Sequence, residues 1–255
     1  MNGLMLHCGA KQTTYDQVAS TRTPEGTRTH QPISHRWLID SATENLIRLG
    51  YQPRQCAHAL SHGGARYFGL IEFGVGALNA PANDHGMVMG LRNSHDKRFP
   101  AGMVVGARVF VCDNLSFSGE LILARKHTRH IGKNLPYRMQ TVMDRLPSTV
   151  EVQAARFETY RNSPLGDSEA HDLIVEGFRA GACSSSMVGK IAEEYHEPRH
   201  EAFRPRTAWS LFNAFSETLK GGLQALPART QTLHRILDAH LGIARDAESG
   251  ILNLN

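Results

Sequence analysis

Apolar and polar residues alternate along the chain between about residues 51 and 130, and glycine interrupts the alternation at short intervals. Such alternation is typical of half-buried strands, because successive side chains point to opposite faces of a sheet. Consecutive strands with short connections pair most simply in an antiparallel meander. The pattern predicts five strands, at residues 56–61, 66–73, 86–92, 103–112 and 119–125.

Helical periodicity marks one segment before these strands and several after them. Residues 34–49 carry an apolar stripe, with Ser34 as candidate N-cap and Gly50 directly past the end. Further helices are predicted at residues 136–145, 148–161, 168–182, 185–195, 207–220 and 228–241. Strands followed by helices are typical of the α+β class. We therefore expect an antiparallel β-meander in the N-terminal half, packed by helices from the C-terminal half.

The domain organisation follows from the same patterns. Residues 1–33 are rich in polar residues and lack apolar periodicity, so we expect an extended polar arm. Residues 34–255 then form a single α+β domain, β-rich over 51–130 and helical over 136–245. The connection at residues 93–102 is longer than a tight hairpin, and loops of this kind often carry function.

Composition narrows the class of protein. The chain has 255 residues, of which 41% are hydrophobic and 20% charged, which is typical of a globular protein. No apolar run approaches the roughly 18 residues of a membrane span. Four widely separated cysteines without a CxxC pair argue against a zinc ribbon or a disulfide framework. We expect a cytoplasmic protein with reduced thiols and no membrane partner.

Positive charge is concentrated in one part of the chain. Residues 92–138 hold nine Lys and Arg against three acids, a balance of +6, whereas the whole chain is only +4. The cations flank the strand predicted at 103–112, so two basic tips border a buried strand. Such a surface favours a polyanion, and nucleic acid is the first partner to consider. The predicted phosphate-contacting residues are Arg92, Lys97, Arg98, Arg125, Lys126, Arg129 and Lys133.

Side chains capable of catalysis lie in the same segment. Cys112 can act as a nucleophile if His95 or His127 lowers the pKa of its thiol. Alternatively, His95, Asp96, Asp113 and His127 can hold a divalent metal for phosphodiester hydrolysis. Against both stand simpler interpretations: Ser, Asp and Asn are common turn residues, and a cysteine ending an apolar strand is usually buried. No spacing matches a standard zinc site, so we predict no cofactor beyond a possible divalent metal.

Three ordered runs carry a family resemblance: SHDK at 94–97, VFVCDNLSFSGE at 109–120 and KHT at 126–128. Together they resemble the phage/plasmid-like family of unknown function, whose signature is a Ser-His-Asp turn, a Val-Cys-x-Asn strand end and a His-Thr pair. The run TAWSLFNAFSE at 207–217 resembles the closing helix of that family. The resemblance implies a mobile-element protein acting in DNA maintenance, recombination or evasion of host defence, and it implies no particular reaction.

Three functions therefore stay open. The leading hypothesis is a homo-oligomeric protein that binds or anneals single-stranded DNA through a basic rim of the sheet. A β-meander backed by helices also resembles, in outline only, the single-strand annealing proteins of phages. The second hypothesis is a metal-dependent nuclease or hydrolase using the His95, Asp96, Asp113 and His127 side chains. The third is an inhibitor without catalytic activity that binds a host defence protein.

Overall fold

A computed structural model describes residues 10–75, 85–109, 114–116, 122–219 and 225–243, and its strands precede most of its helices. It confirms the predicted α+β class. The long strands form where apolar and polar residues alternate, and apolar side chains such as Ile71, Met89 and Val105 are buried. The strands are β1 (Lys11–Thr13), β2 (Tyr51–Ser61), β3 (Arg66–Val75), β4 (His85–Ser94), β5 (Ala101–Val109), β6 (Asn114–Ser116) and β7 (Ile122–Arg125).

The sheet is antiparallel, with β1 to β6 side by side in chain order, which confirms the predicted meander. β7 departs from that order because it pairs with β5 rather than with β6. In this pairing Ala101, at the start of β5, lies opposite Arg125, at the end of β7. The two segments that flank these positions, residues 95–100 and 126–130, are thereby brought to the same end of the sheet.

The helices begin at α1 (Tyr15–Ala19) and α2 (His35–Arg48). The predicted cap of α2 is confirmed: Ser34 accepts a hydrogen bond from the backbone N–H of Trp37 at 2.9 Å. Gly50, past the helix end, takes the positive φ of +83° that glycine adopts most readily. The remaining helices are α3 (Ile131–Met143), α4 (Leu146–Asn162), α5 (Asp167–Arg179), α6 (Ser185–His196), α7 (Ala208–Thr218) and α8 (Leu226–His240), with a 3₁₀ turn at Glu201–Phe203.

Helix α3 begins five residues before its predicted start, so that Pro136 lies inside it. A proline inside a helix loses a backbone hydrogen bond and costs about 3 kcal/mol. The helix continues nevertheless, since its apolar stripe is buried against the sheet and α2. The stripe consists of Ile131, Leu135, Met139, Val142 and Met143.

Residues 10–33 differ from the predicted extended arm. β1 pairs with β2, and the short helix α1 follows, capped by Thr14. Val18 and Ile33 are buried in the main core, and the hydroxyl of Tyr15 donates to the carboxylate of Asp40 in α2 at 2.6 Å. The few apolar residues that anchor this segment do not form a periodic pattern. The sequence therefore predicted an extended arm.

Helices cover both faces of the sheet. One face packs on α2 and α3 through buried residues such as Ile71, Met89 and Val105. The opposite face meets the last helices through Leu219 and Leu226, whereas α4 to α8 share an aromatic core of their own. In the described part of the chain, no helix has the length and apolar character needed to cross a membrane.

The packing of the C-terminal helices predicts opposite effects for alanine at two helical glycines. A Cβ atom at Gly177 in α5 would lie 2.7 Å from the ring of Phe215, which is fully buried, whereas a Cβ at Gly189 in α6 meets nothing within 4 Å. We expect Gly177→Ala to lower the free energy of unfolding by about 1–3 kcal/mol. Gly189→Ala should raise it by about 0.5–1 kcal/mol, because alanine restricts the unfolded chain and favours a helix.

Equilibrium unfolding in urea measures both variants against the parent chain. Gly189→Ala is the matched control, since it makes the same chemical change at an exposed helical position. A Gly177→Ala variant as stable as the parent would contradict the described contact between α5 and α7.

Candidate nucleic-acid interface

The turn that follows β4 holds the Ser-His-Asp run in one shape. The hydroxyl of Ser94 is buried, donates to the carboxylate of Asp96 at 2.5 Å and accepts the backbone N–H of Arg98 at 3.0 Å. Arg66, opposite Ser94 in the sheet, forms an ion pair with Asp96 at 2.7 Å. Burial acts to raise the pKa of Asp96, but hydrogen bonds from Ser94 and Arg66 outweigh it and the pKa is lowered. The Asp96 carboxylate is therefore occupied in stabilising the turn.

Two stacked histidines lie beneath this turn, on the α2 side of the sheet. The rings of His35 and His95 are parallel within 6°, with centroids 3.9 Å apart. The side-chain amide of Asn93 donates to the carbonyl of Ile33 at 3.0 Å and contacts Nδ1 of His35 at 2.9 Å. Nε2 of His35 lies 2.9 Å from the carbonyl of Gly64, and Nε2 of His95 lies 2.9 Å from that of Ile33. These bonds tie the end of β4 to the β2–β3 turn and to the segment before α2.

A second histidine pair joins the segment before α2 to the loop after β7. His30 forms a β-bridge with Thr128, and the backbone N–H of Gln31 donates to the carbonyl of His127 at 3.2 Å. The ring centroids of His30 and His127 are 5.4 Å apart. Both ring nitrogens of His127 and Nε2 of His30 are buried without a hydrogen-bond partner in the described structure. Burial, followed by the charges of His30 and His95, lowers the pKa of His127 to about 4.

The predicted catalytic side chains are only partly brought together. His95 is close enough to His127 for its charge to add, after burial and His30, to the lowering of the pKa of His127. Asp96, in contrast, is held by Arg66 and Ser94. Cys112 and Asp113 lie outside the described residues. Within the described ranges, no group of three or more His, Cys, Asp or Glu is arranged to hold a metal ion.

The two predicted basic clusters meet at one end of the sheet. Arg125 pairs with Ala101, directly after the turn that carries Lys97 and Arg98. Lys97 is also near enough to His30 to lower its pKa, in addition to the larger effect of burial, and His30 is bridged to Thr128. Six of the seven predicted cations therefore lie toward this end of the sheet, and Arg138 of α3 lies beside Arg125 and Lys133. We call this surface the basic rim: Lys97, Arg98, Arg125, Lys126, Arg129, Lys133 and Arg138.

A groove of about 500 Å³ runs between β7 and α3 within the basic rim. Arg125, Lys133 and Arg138 line it together with Tyr137, whose side chain is 72% exposed. Burial, and then the charge of Arg138, lowers the pKa of Arg125. No acidic side chain is among the described residues that line this groove. Close cations without a carboxylate partner favour the binding of an anion.

Arg92 lies apart from the other predicted phosphate contacts. Its side chain is half-buried on the face of the sheet opposite the histidine pairs, with the guanidinium 5.7 Å from the ring centroid of Phe99. Phe99 packs on Phe68 with 5.3 Å between the ring centroids. Tyr137 is therefore better exposed for stacking than Phe99.

Arg138, His30 and His35 were not among the residues predicted for the site. Arg138 could have been found from helical spacing, because α3 carries Lys133 and Tyr137 four residues apart, with Arg138 adjacent. A predicted helix start at residue 136 separated Lys133 from that pattern. The histidines have no comparable signal, since their contacts depend on segments distant in the sequence.

Comparison of the chain with protein-family models, with curated proteins and with solved structures finds no match. The resemblance to the phage/plasmid-like family therefore stays a prediction. The site is interpreted from its own geometry.

The buried histidines predict a loss of stability in mild acid. Burial lowers the pKa of His35 and of His127 to about 4, whereas an unfolded histidine has a pKa of about 6.5. As the pH falls below about 6.5, these two histidines take up protons in the unfolded chain but stay neutral in the folded chain, so folding is disfavoured. Between about pH 7.5 and pH 5, each of the two histidines should lower the free energy of unfolding by about 2 kcal/mol.

Urea unfolding at both pH values, on the parent chain and on His127→Asn, checks this expectation. The free energy of unfolding should fall by about 2 kcal/mol less between pH 7.5 and pH 5 in His127→Asn than in the parent. This difference does not depend on how the substitution changes stability at pH 7.5. The control is His62→Asn: His62 is exposed with φ +54°, a conformation that asparagine tolerates. An equal pH-dependent loss in the parent and in His127→Asn would contradict the burial of a neutral His127.

Proposed function

We propose that this protein binds single-stranded nucleic acid along the basic rim, with the groove between β7 and α3 as the centre of the interface. The observation that carries the proposal is the convergence of Arg125, Lys133 and Arg138 around an exposed Tyr137. Cations and an exposed aromatic ring in one groove are the two elements with which proteins hold unpaired strands.

The charge of the rim supports a phosphate backbone as the partner. Lys97, Arg98, Lys126, Arg129 and Lys133 are exposed, and no described carboxylate forms an ion pair with any of them. Their positive charge is therefore free to attract phosphates, and binding would release the counterions condensed on the nucleic acid. Affinity that depends on such release falls steeply as the salt concentration rises.

Tyr137 supports a single strand over a duplex. Its ring projects into solvent from the exposed side of α3, beside the cations of the groove. A base of a duplex is already stacked on both sides, whereas an unpaired base can stack on a tyrosine for about 1–3 kcal/mol. Annealing of complementary strands would extend this function and would require several copies of the chain, so homo-oligomerisation belongs to the same proposal.

The geometry favours the nuclease hypothesis less. Metal-assisted hydrolysis needs carboxylate or imidazole atoms that are free to coordinate, but both oxygens of Asp96 are engaged by Ser94 and Arg66. Nε2 of His95 is engaged by the carbonyl of Ile33. The ring nitrogens of His127 have no hydrogen-bond partner, but within the described ranges no group of three or more metal-binding side chains is assembled. An inhibitor of a host defence protein stays a prediction without a structural observation in its favour.

Fluorescence anisotropy with labelled oligo(dT) and with a labelled duplex, at several salt concentrations, tests the proposal. If the rim contacts about four phosphates, the logarithm of affinity should fall against the logarithm of salt with a slope of about −3. Lys133→Gln combined with Arg138→Gln should weaken binding and make the slope shallower by about 1–2. The parent should prefer oligo(dT) to the duplex.

Tyr137 allows a separate test of stacking. Tyr137→Ala should weaken oligo(dT) binding by about 1–3 kcal/mol while leaving the salt slope unchanged, and Tyr137→Phe should retain most of the affinity. The matched control for charge is Arg179→Gln, because Arg179 is exposed on α5, outside the basic rim. Absence of binding at low salt, or equal losses from the Arg179 and rim variants, would contradict the proposal.

A further inference from the structure

The face of the sheet opposite the histidine pairs carries a cavity of about 280 Å³. Residues from β3, β4, β5 and β7 form its floor, and the beginning of α8 forms one wall. Two rows of cross-strand neighbours make up this floor. The first row is Phe68, Arg92, Gly102 and Ala124; the second is Leu70, Gly90, Val104 and Ile122.

Small residues in the floor create the space. Gly90 and Gly102 present no side chain to the cavity, and Ala124 presents a single methyl group. A Cβ atom on Gly102 would lie 3.2 Å from Nε of Arg92 and 3.2 Å from the carbonyl oxygen of Leu123. The glycine thus allows the arginine side chain to lie across the floor beside Phe68, where a larger residue would displace it.

Arg92 is the one charged side chain among the described residues that line the cavity. Its guanidinium lies near the face of Phe99, and no described carboxylate pairs with it. Burial lowers the pKa of Arg92, which reflects the cost of holding this cation away from water. A half-buried guanidinium without a counter-ion favours an anionic partner with hydrogen-bond acceptors, such as a carboxylate.

The rest of the cavity is apolar. Leu70, Val104 and Ile122 line the floor, Pro227 lies in the α8 wall, and the amide of Gln231 adds a neutral polar group. Ligand sites commonly combine apolar walls with a few polar groups that fix the orientation of the ligand. This cavity has that composition, with its charge at one end.

We propose that this cavity binds a small organic carboxylate with an apolar body, whose carboxylate pairs with Arg92. The apolar body lies on Leu70 and Val104 beneath Pro227. The proposal does not rest on nucleic-acid binding, because Arg92 and the cavity lie on the opposite face of the sheet from the histidine pairs. Ile122 and Leu123 of β7 border both the cavity and the groove of the basic rim.

Displacement of the fluorescent apolar anion anilinonaphthalenesulfonate from the full chain tests the proposal, with octanoate and octanol as competitors. The two competitors share an alkyl chain and differ in the charge that Arg92 would recognise. Octanoate should displace the probe at a concentration about tenfold lower than octanol. Equal displacement by the two, or displacement by neither, overturns the proposal.

Three variants locate the binding. Arg92→Gln should bring octanoate and octanol to similar potency, whereas Arg92→Lys should retain a preference for octanoate. Ala228→Phe, at an exposed position in the first turn of α8, should fill the cavity and reduce probe binding at least tenfold. Unchanged probe binding by Ala228→Phe, with unfolding as cooperative as in the parent, places the probe elsewhere and overturns the proposal.

Discussion

The carbonyl oxygen of Ile33 accepts hydrogen bonds from two side chains at the end of β4, Asn93 and His95, and this junction positions the candidate interface. His35 extends it to the β2–β3 turn through the carbonyl of Gly64. The neighbouring His30 bridges to the loop after β7. The segment before α2 thereby fixes the end of β4, the β2–β3 turn and the loop after β7 at one end of the sheet. Four cations of the basic rim lie on the turn and the loop that these bonds hold, so the bonds fix where they stand: Lys97, Arg98, Lys126 and Arg129.

Neutral histidines suit this role because imidazole can donate at one nitrogen and accept at the other. The nitrogens of His35 lie within hydrogen-bond distance of Gly64 and Asn93, whereas those of His127 are buried without a described partner. Burying such groups has an energetic cost, which the surrounding apolar core offsets. The histidine rings are buried at the end of the sheet that carries the basic rim. The junction therefore links the stability of the sheet to the geometry of the interface.

Local patterns predicted the meander, the Ser34 cap and the order of strands and helices, because alternation and capping are encoded by neighbouring residues. The pairing of β7 with β5 and the early start of α3 escaped prediction, since both depend on tertiary packing that outweighs local signals. The same limit applies to the site. Charge density identified six residues of the basic rim, but the separation of Arg92 from them follows from which face of β4 it occupies. The contacts of the histidines could not be predicted from local patterns, because they join segments that only the fold brings together.

Hydrogen–deuterium exchange of the parent chain, with and without oligo(dT), tests the proposed interface most directly. It reports which backbone amides a bound strand protects, independently of any substitution. The basic rim predicts slower exchange in peptides that cover residues 94–101 and 122–143, with little change in α5 to α7. Protection confined to α5 to α7 under conditions where the oligonucleotide is bound would contradict an interface between β7 and α3.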